Sequence, residues 1–268
     1  MIGVSDTQPV ADGARAIGPC LLGPISNETA LRRAGSVAHA LAASRDTELL
    51  VSTNGEDVAD LSERLPESHR SGYCSVTSNL DREATLDPVV TQHDPSALVI
   101  KRHTEQHLID ELFLDRAERL SRKTDVLTVD GRGDADRIAS ILVPVAGGDH
   151  SQLAIESAVA IAQANDAAVD LFHVLEADTD EAKAAGQQLL EELVATVAPE
   201  KRDRIDTWLY ETPGATDAIT EQSNYYDLTV MGAPTDSPLK RFVFGSTTKQ
   251  VQREADSPVI VAHSQHSP

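Results

Sequence analysis

The chain has 268 residues, 40% hydrophobic but only 3% aromatic, enough to build two cores of ordinary size from Ala, Val, Leu and Ile. Its 43 acidic residues against 23 basic ones give a formal charge of −20 with no basic stripe, which argues against a nucleic-acid partner. Scarce Lys and plentiful Asp, spread along the chain, match a halophilic surface from a salt-rich cytoplasm, where self-repulsion is screened.

No stretch approaches the ~20 apolar residues of a membrane span. The N-terminus lacks a basic segment followed by an apolar one, so the expectation is a cytoplasmic protein without membrane insertion. Two cysteines, Cys20 and Cys74, supply neither a disulfide framework nor a zinc site and read as buried, inert thiols.

In chain order, Ile17 to Leu22 is a candidate strand. Asn27 to Ser44 is a helix with Ala30, Ala34, Val37, Ala38 and Leu41 on one face. Glu48 to Thr53 is a strand, Val58 to Leu65 a helix, and Tyr73 to Thr77 a third strand. Ala97 to Lys101 is a strand, Leu108 to Arg122 a helix, Val126 to Val129 a last strand, and residues 131–136 (GRGDAD) a linker.

The second half is clearer. Ile138 to Val145 is a β-branched run, followed by AGGDHS and a helix over Ser151 to Asn165. Val169 to Val174 is a strand, Thr179 to Val197 an amphipathic helix, Thr207 to Tyr210 a strand, and Ala215 to Asn224 a helix. Leu228 to Met231, a helix over Ser246 to Glu254, and Val259 to Ala262 complete a β-α alternation. Such alternation predicts an α/β fold with a parallel sheet and helices on both faces.

Residues 97–125 set against 228–256, an offset of 131, match at Val99/Val230, Thr104/Thr235, Leu108/Leu239, Phe113/Phe244, Arg122/Arg253 and Asp125/Asp256. With the shared order of elements, this predicts an internal duplication: domains at 1–134 and 135–268, the first more degenerate.

The segment LTVMGAPTDSPLKRFVFGSTTKQVQREADSPVIVAH, with ILVPV, a glycine turn, HSQLAIESAVAIA and LFHV before it, resembles the universal stress protein family over about 136–263. The resemblance implies two tandem flavodoxin-like, adenine-nucleotide α hydrolase-like domains, each with a parallel five-stranded sheet. It also implies a loop of the form Gly-x2-Gly-x9-Gly-(Ser/Thr) around a nucleotide phosphate chain. Here the four positions are Gly232, Thr235, Gly245 and Ser246, and three of them fit. Glycines admit an anion close to the backbone, and a helix starting near Ser246 would offer free N–H groups, with Ser246 and Thr247 adding hydroxyls. Pro144, Val145, Val174 and Met231 are the implied backbone contacts to the nucleoside. The implied cofactor is ATP or AMP, with no metal and no catalytic residue.

The sequence also departs from the pattern. Nucleotide-binding members carry an aspartate just after the first strand; Ala146 stands there. Thr235 replaces a glycine, and its β-branched side chain disfavours positive φ. In the first half Lys101, Thr104, Leu114 and Asp115 occupy the four loop positions, so no ATP site of this type is expected there. For this half the resemblance implies a structural role: family domains pair through their last strands, so Val126–Val129 is expected to pair with Val259–Ala262 within one chain, covering two sheet edges.

Four other clusters were weighed. Asp149, His150 and Ser151 have the residue types of a hydrolase triad, but adjacent residues cannot form that relay and read as a helix start. His103 and His107 have metal-compatible spacing but fall in a predicted loop without a third ligand. His263 and His266 are expected in a solvated tail. The Arg116–Arg119–Arg122–Lys123 run reads as the wet face of a helix, or an anion site.

The functional expectation is a non-enzymatic stress-response protein acting as an intrachain pseudo-dimer, with homodimerisation also open and a weakened nucleotide site in the second half. The alternatives are a switch with slow ATP hydrolysis, for which Asp236 is the nearby acid, and a soluble regulatory partner of a membrane transporter.

Overall fold

Alternating strands and helices can bury both kinds of apolar surface by laying the strands side by side and covering both faces with helices. The computed structural model describes residues 18–25, 28–53, 73–75, 86–101, 110–130, 137–175, 177–234 and 247–265. The first half runs β1 (Cys20–Ile25), α1 (Glu28–Ser44), β2 (Leu49–Thr53), β3 (Tyr73–Ser75), α2 (Asp87–His93), β4 (Ala97–Lys101), α3 (Asp110–Ser121) and β5 (Asp125–Val129). The second runs β6 (Ser140–Pro144), α4 (Asp149–Asn165), β7 (Ala168–Leu175), α5 (Asp180–Ala195), a 3-10 turn (Pro199–Arg204), β8 (Ile205–Glu211), α6 (Ala215–Ser223) and β9 (Leu228–Gly232). A helical stretch over 247–254 and β10 (Val259–His263) follow.

The strands form one ten-stranded sheet in the order β3-β2-β1-β4-β5-β10-β9-β6-β7-β8. Every neighbouring pair is parallel except β5 and β10. Each half therefore repeats the same five-strand topology, as the sequence predicts. The last strands join the halves antiparallel, with Val129 opposite Ile260, Thr128 opposite Val261, Leu127 opposite Ala262 and Val126 opposite His263. The intrachain pairing expected from the sequence is thus present.

The core follows from this joint. On one face a single apolar cluster runs through both halves, from Leu22, Leu41 and Val99 to Val143, Ile161 and Leu190. The other face carries two separate clusters, one under α2 and α3, the other under α6 and 247–254. Helix α4 is buried nearly all round, at Leu153, Ala154, Ile155, Ala158, Val159, Ile161 and Ala162, because the sheet covers one side and α1 packs on another.

Local chemistry sets the element ends. Thr179 caps α5, its Oγ1 accepting from the Ala182 N–H at 3.1 Å, and Asp180 and Glu181 complement the first turn. After α1, α2 and α4 the chain turns through aspartates in the left-handed region, Asp46, Asp94 and Asp166. β1 starts later than the apolar run suggests and continues through Gly23–Pro24, with a register shift against β2 between Leu22 and Ile25. α2 is absent from the sequence reading, since seven residues with only Val89 and Val90 buried leave too short a period to see. The Val58–Leu65 helix and the 131–136 linker lie outside the described residues. Cys20 is a free, fully buried thiol whose pKa burial pushes up. Among the described residues no helix is long and apolar enough to cross a membrane.

One cation sits at the junction. Arg45, after α1, donates from Nε to Glu156 at 2.8 Å, from Nη2 to Asp125 at 2.8 Å and from Nη1 to the Ser96 carbonyl at 2.7 Å. Its side chain is 12% exposed. Burial opposes its charge, but the hydrogen bonds and fields of Glu156 and Asp125 outweigh that and hold it protonated. Arg45→Ala leaves the Asp125 carboxylate without its cation and the Ser96 carbonyl without this donor. The expected loss is about 2–3 kcal/mol in urea unfolding, discounted because Glu156 is half-exposed. A change under about 0.5 kcal/mol, the range of an ordinary surface substitution, would remove this residue from the junction's energetics.

Candidate functional site

In open α/β sheets ligands bind beyond the carboxyl ends of the strands, where strand order reverses. In the second half that point lies between β6 and β9. These strands pair at Ile141–Leu228 and Leu142–Thr229, whereas β6 and β7 pair from Ser140–Ala168 through Pro144–Phe172. Pro144, Val145, Val174, Met231 and Gly232 all lie at the carboxyl end of their strands, so the structure brings these five candidates to one edge.

Their side chains do not form a cup. Val145 and Met231 are each 5% exposed and belong to cores on opposite faces of the sheet. Only backbone is offered, and part of it is used. The Val145 N–H donates to the Phe172 carbonyl at 2.9 Å, and its own carbonyl accepts from His173 Nδ1 at 2.8 Å. A carbonyl only accepts, which fixes the proton of His173 on Nδ1.

After β6 the chain turns through Gly147 (φ +89°) and Gly148 (φ +83°), left-handed positions that suit glycine. Ser151 closes the turn: its hydroxyl donates to the Gly147 carbonyl at 3.0 Å and accepts from the Ala146 N–H at 3.4 Å. The Ala146 side chain is exposed, with no carboxylate to offer a ligand. Asp149, His150 and Ser151 open α4, as expected, and they diverge in use: Ser151 serves the turn, Asp149 is exposed, and His150 Nδ1 accepts from the Ser264 N–H at 3.0 Å.

Gly232 has a packing reason to be glycine. A Cβ there would sit 2.9 Å from the His150 carbonyl carbon and 3.0 Å from its oxygen and Cβ. The end of β9 thus lies directly against the first turn of α4. Thr247 is 2% exposed, and its Oγ1 is 2.6 Å from Thr216 Oγ1, joining the start of 247–254 to the start of α6. Its hydroxyl is engaged within the protein. Thr235, Gly245, Ser246 and Asp236 lie outside the described residues, as do Thr104, His103, His107 and His266. In the first half Lys101 ends β4, and Leu114 and Asp115 fall within α3 from its fifth residue, where i−4 carbonyls take the N–H groups.

His263 corrects the sequence reading. It is the last residue of β10, paired with Val126 and 5% exposed, not part of a solvated tail. Its Nε2 is buried without a hydrogen-bond partner, and its ring lies 6.5 Å from that of His150. Burial first, and His150 second, push its pKa down to about 3. It escaped the sequence because it stands where an apolar run meets a polar tail. A cleft of about 430 Å³ lies instead at the junction of the halves, between α4, Ser44, Asp125, the segment 196–201 and Ser264–Gln265; of the candidates weighed from the sequence, Asp149 lines it. Among the described residues no three His, Cys, Asp or Glu side chains are placed to hold a metal.

Residues 138–263 match the model of the universal stress protein family (Usp). No curated protein matches the chain. Among solved structures, the cytoplasmic domain of a prokaryotic cation chloride cotransporter is 15% identical, covering 92% of this chain and 96% of that one, with a TM-score of 0.64. A universal stress protein from Archaeoglobus fulgidus DSM 4304 is also 15% identical, at 92% and 96% coverage and a TM-score of 0.59. A putative universal stress protein from Pseudomonas aeruginosa UCBPP-PA14 is 16% identical, at 92% and 93% coverage and a TM-score of 0.57. These likenesses are of fold, and they extend over both halves.

Two measurements test the packing around this edge. Gly232→Ala forces β9 off the α4 backbone and is expected to cost about 1–3 kcal/mol in chemical denaturation. Neutral His263 binds fewer protons folded than unfolded between its ordinary pKa of 6.5 and about 3. Its contribution to stability therefore falls as pH drops through that window, by at most about 1.4 kcal/mol per pH unit. His263→Leu should flatten the stability–pH slope between pH 4 and 6 relative to the native chain; an unchanged slope would assign acid sensitivity to other groups.

Proposed function

We propose that this chain, whose residues 138–263 belong to the universal stress protein family, is a non-catalytic stress-response regulator that works as a dimer fused into one polypeptide. It keeps a single, weakened adenine-nucleotide site in its second half. The antiparallel β5–β10 pairing carries this reading, because it places two copies of one topology back to back without a second chain. Supporting the nucleotide site are the strand ends at Pro144, Val145, Val174, Met231 and Gly232 and the left-handed glycine turn beside them. Against a strong site stand Ala146, where a carboxylate would reach a ribose, and the engaged Val145 and Thr247. Losing one charge-assisted hydrogen bond costs ~1.5–3 kcal/mol, roughly ten- to a hundredfold in affinity. The fold shared with the cotransporter's cytoplasmic domain supports a second reading, a soluble regulator of a membrane carrier. Co-sedimentation with membranes holding that carrier would favour it.

Titration calorimetry with ATP and AMP in molar KCl tests the first reading. One weak site per chain is expected, and Ala146→Asp should tighten it about tenfold or more. No heat with either ligand, in either protein, would remove the nucleotide from the function. Phosphate release above a protein-free blank would replace the regulator with an enzyme.

A further inference from the structure

The two halves can be compared position by position on the face that carries α3 and 247–254. The offset of 131 holds in burial as well as sequence: Ala117, Leu120, Ser121 and Thr124 are buried, and so are Thr248, Val251, Gln252 and Ala255. Arg116 therefore stands where the second half has Thr247. On the neighbouring helices the buried pair Val89–Val90 corresponds to Ala218–Ile219, which sets Asp87 against Thr216. In the second half these two places hold two hydroxyls, 2.6 Å apart and satisfied by each other. In the first they hold a guanidinium and a carboxylate that do not pair.

The Asp87 carboxylate is already taken. Oδ2 accepts from Arg119 Nη2 at 3.2 Å, and Oδ1 from Lys123 Nζ at 3.3 Å, which also donates to Thr91 at 3.2 Å. Arg116 is left with no hydrogen bond or ion pair to any described residue, and its Nε is buried. Burial, then the adjacent Arg119, push its proton affinity down, and Asp87 only partly offsets them. Among the described residues three cations stand around the one Asp87 carboxylate, two of them paired with it, in a chain whose formal charge is −20. A buried unpaired N–H normally finds an acceptor, and a guanidinium fork suits the oxygens of a tetrahedral oxyanion.

We propose that Arg116, with Arg119 and Lys123, forms an anion site on the first half that takes a phosphate-type dianion. A phosphate monoester carries about −1.5 to −2 charges at neutral pH and offers the oxygens that a guanidinium fork and an ammonium pair with. The site uses side chains, so it does without a glycine loop, and it does not depend on nucleotide binding in the second half.

The test titrates the full chain with inorganic phosphate and, separately, with phenyl phosphate, at ionic strength held constant with KCl. One site per chain is expected, and Arg116→Met should weaken it at least tenfold. Because Arg116 has no hydrogen-bond or ion-pair partner among the described residues, this variant should melt in phosphate-free buffer no lower than the native chain. Arg119→Gln, at an exposed position, should weaken phosphate binding with folding unaffected. Calorimetry with ATP in Arg116→Met separates this site from the second half's, whose affinity should be unchanged. Native-like phosphate affinity in Arg116→Met, or no phosphate binding by the native chain, overturns the proposal.

Discussion

An antiparallel pair of strands, β5 against β10, governs the architecture of this protein. A five-stranded parallel sheet has two exposed edges, and an unpaired edge is a template for aggregation. Joining two such sheets through their last strands removes one edge from each and gives a continuous ten-stranded layer. The joint reaches the helices as well. It sets α1 against α4, and their facing side chains merge the cores on that side into one. On the opposite face the helices of the two halves stay apart, and so do the cores. Arg45 then ties the end of α1 to β5 and α4, with three hydrogen-bonding partners from separate elements.

The same joint reaches the candidate site. β10 continues past His263 into Ser264 and Gln265. The Ser264 N–H binds His150, and the Gln265 N–H binds Asp125 at the start of β5. His150 opens α4, and its backbone abuts Gly232 at the end of β9. The strand ends at the switch point between β6 and β9 are therefore tied to the contact between the halves. A displacement of the first turn of α4 would reach the residues after β10 through His150 and Ser264.

Much of this was legible in the sequence. β-branched runs of strand length between amphipathic stretches gave the topology, because the two periodicities differ and the cores are aliphatic. The pairing of Val126–Val129 with Val259–Ala262 was legible only through the family resemblance, whose domains pair through their last strands. What stayed hidden is tertiary. His263 looks solvated in a string of letters because its neighbours on one side are polar; only the partner strand buries it. Gly232 has the spacing of an anion loop, yet α4 supplies a sufficient reason for the glycine. The satisfied state of Val145 depends on His173, which is 28 residues away in sequence.

One topology repeated within one chain also leaves room for the halves to differ. The joint requires β5, β10, α1 and α4, all on or beside the shared face. On the opposite face of the first half α3 touches β10, but α2 and α3 cover a core of their own. There, neutral positions can become charged without disturbing the pairing, provided the apolar residues between them are kept. Ala117 and Leu120 are kept at 0% exposure, while Arg116 and Arg119 beside them carry charge. A partly buried guanidinium with no partner among the described residues costs stability, which packing elsewhere in the half has to offset. A marginally stable α/β half has little reason to keep such a group for folding, and the cost is removed if an anion completes its hydrogen bonds.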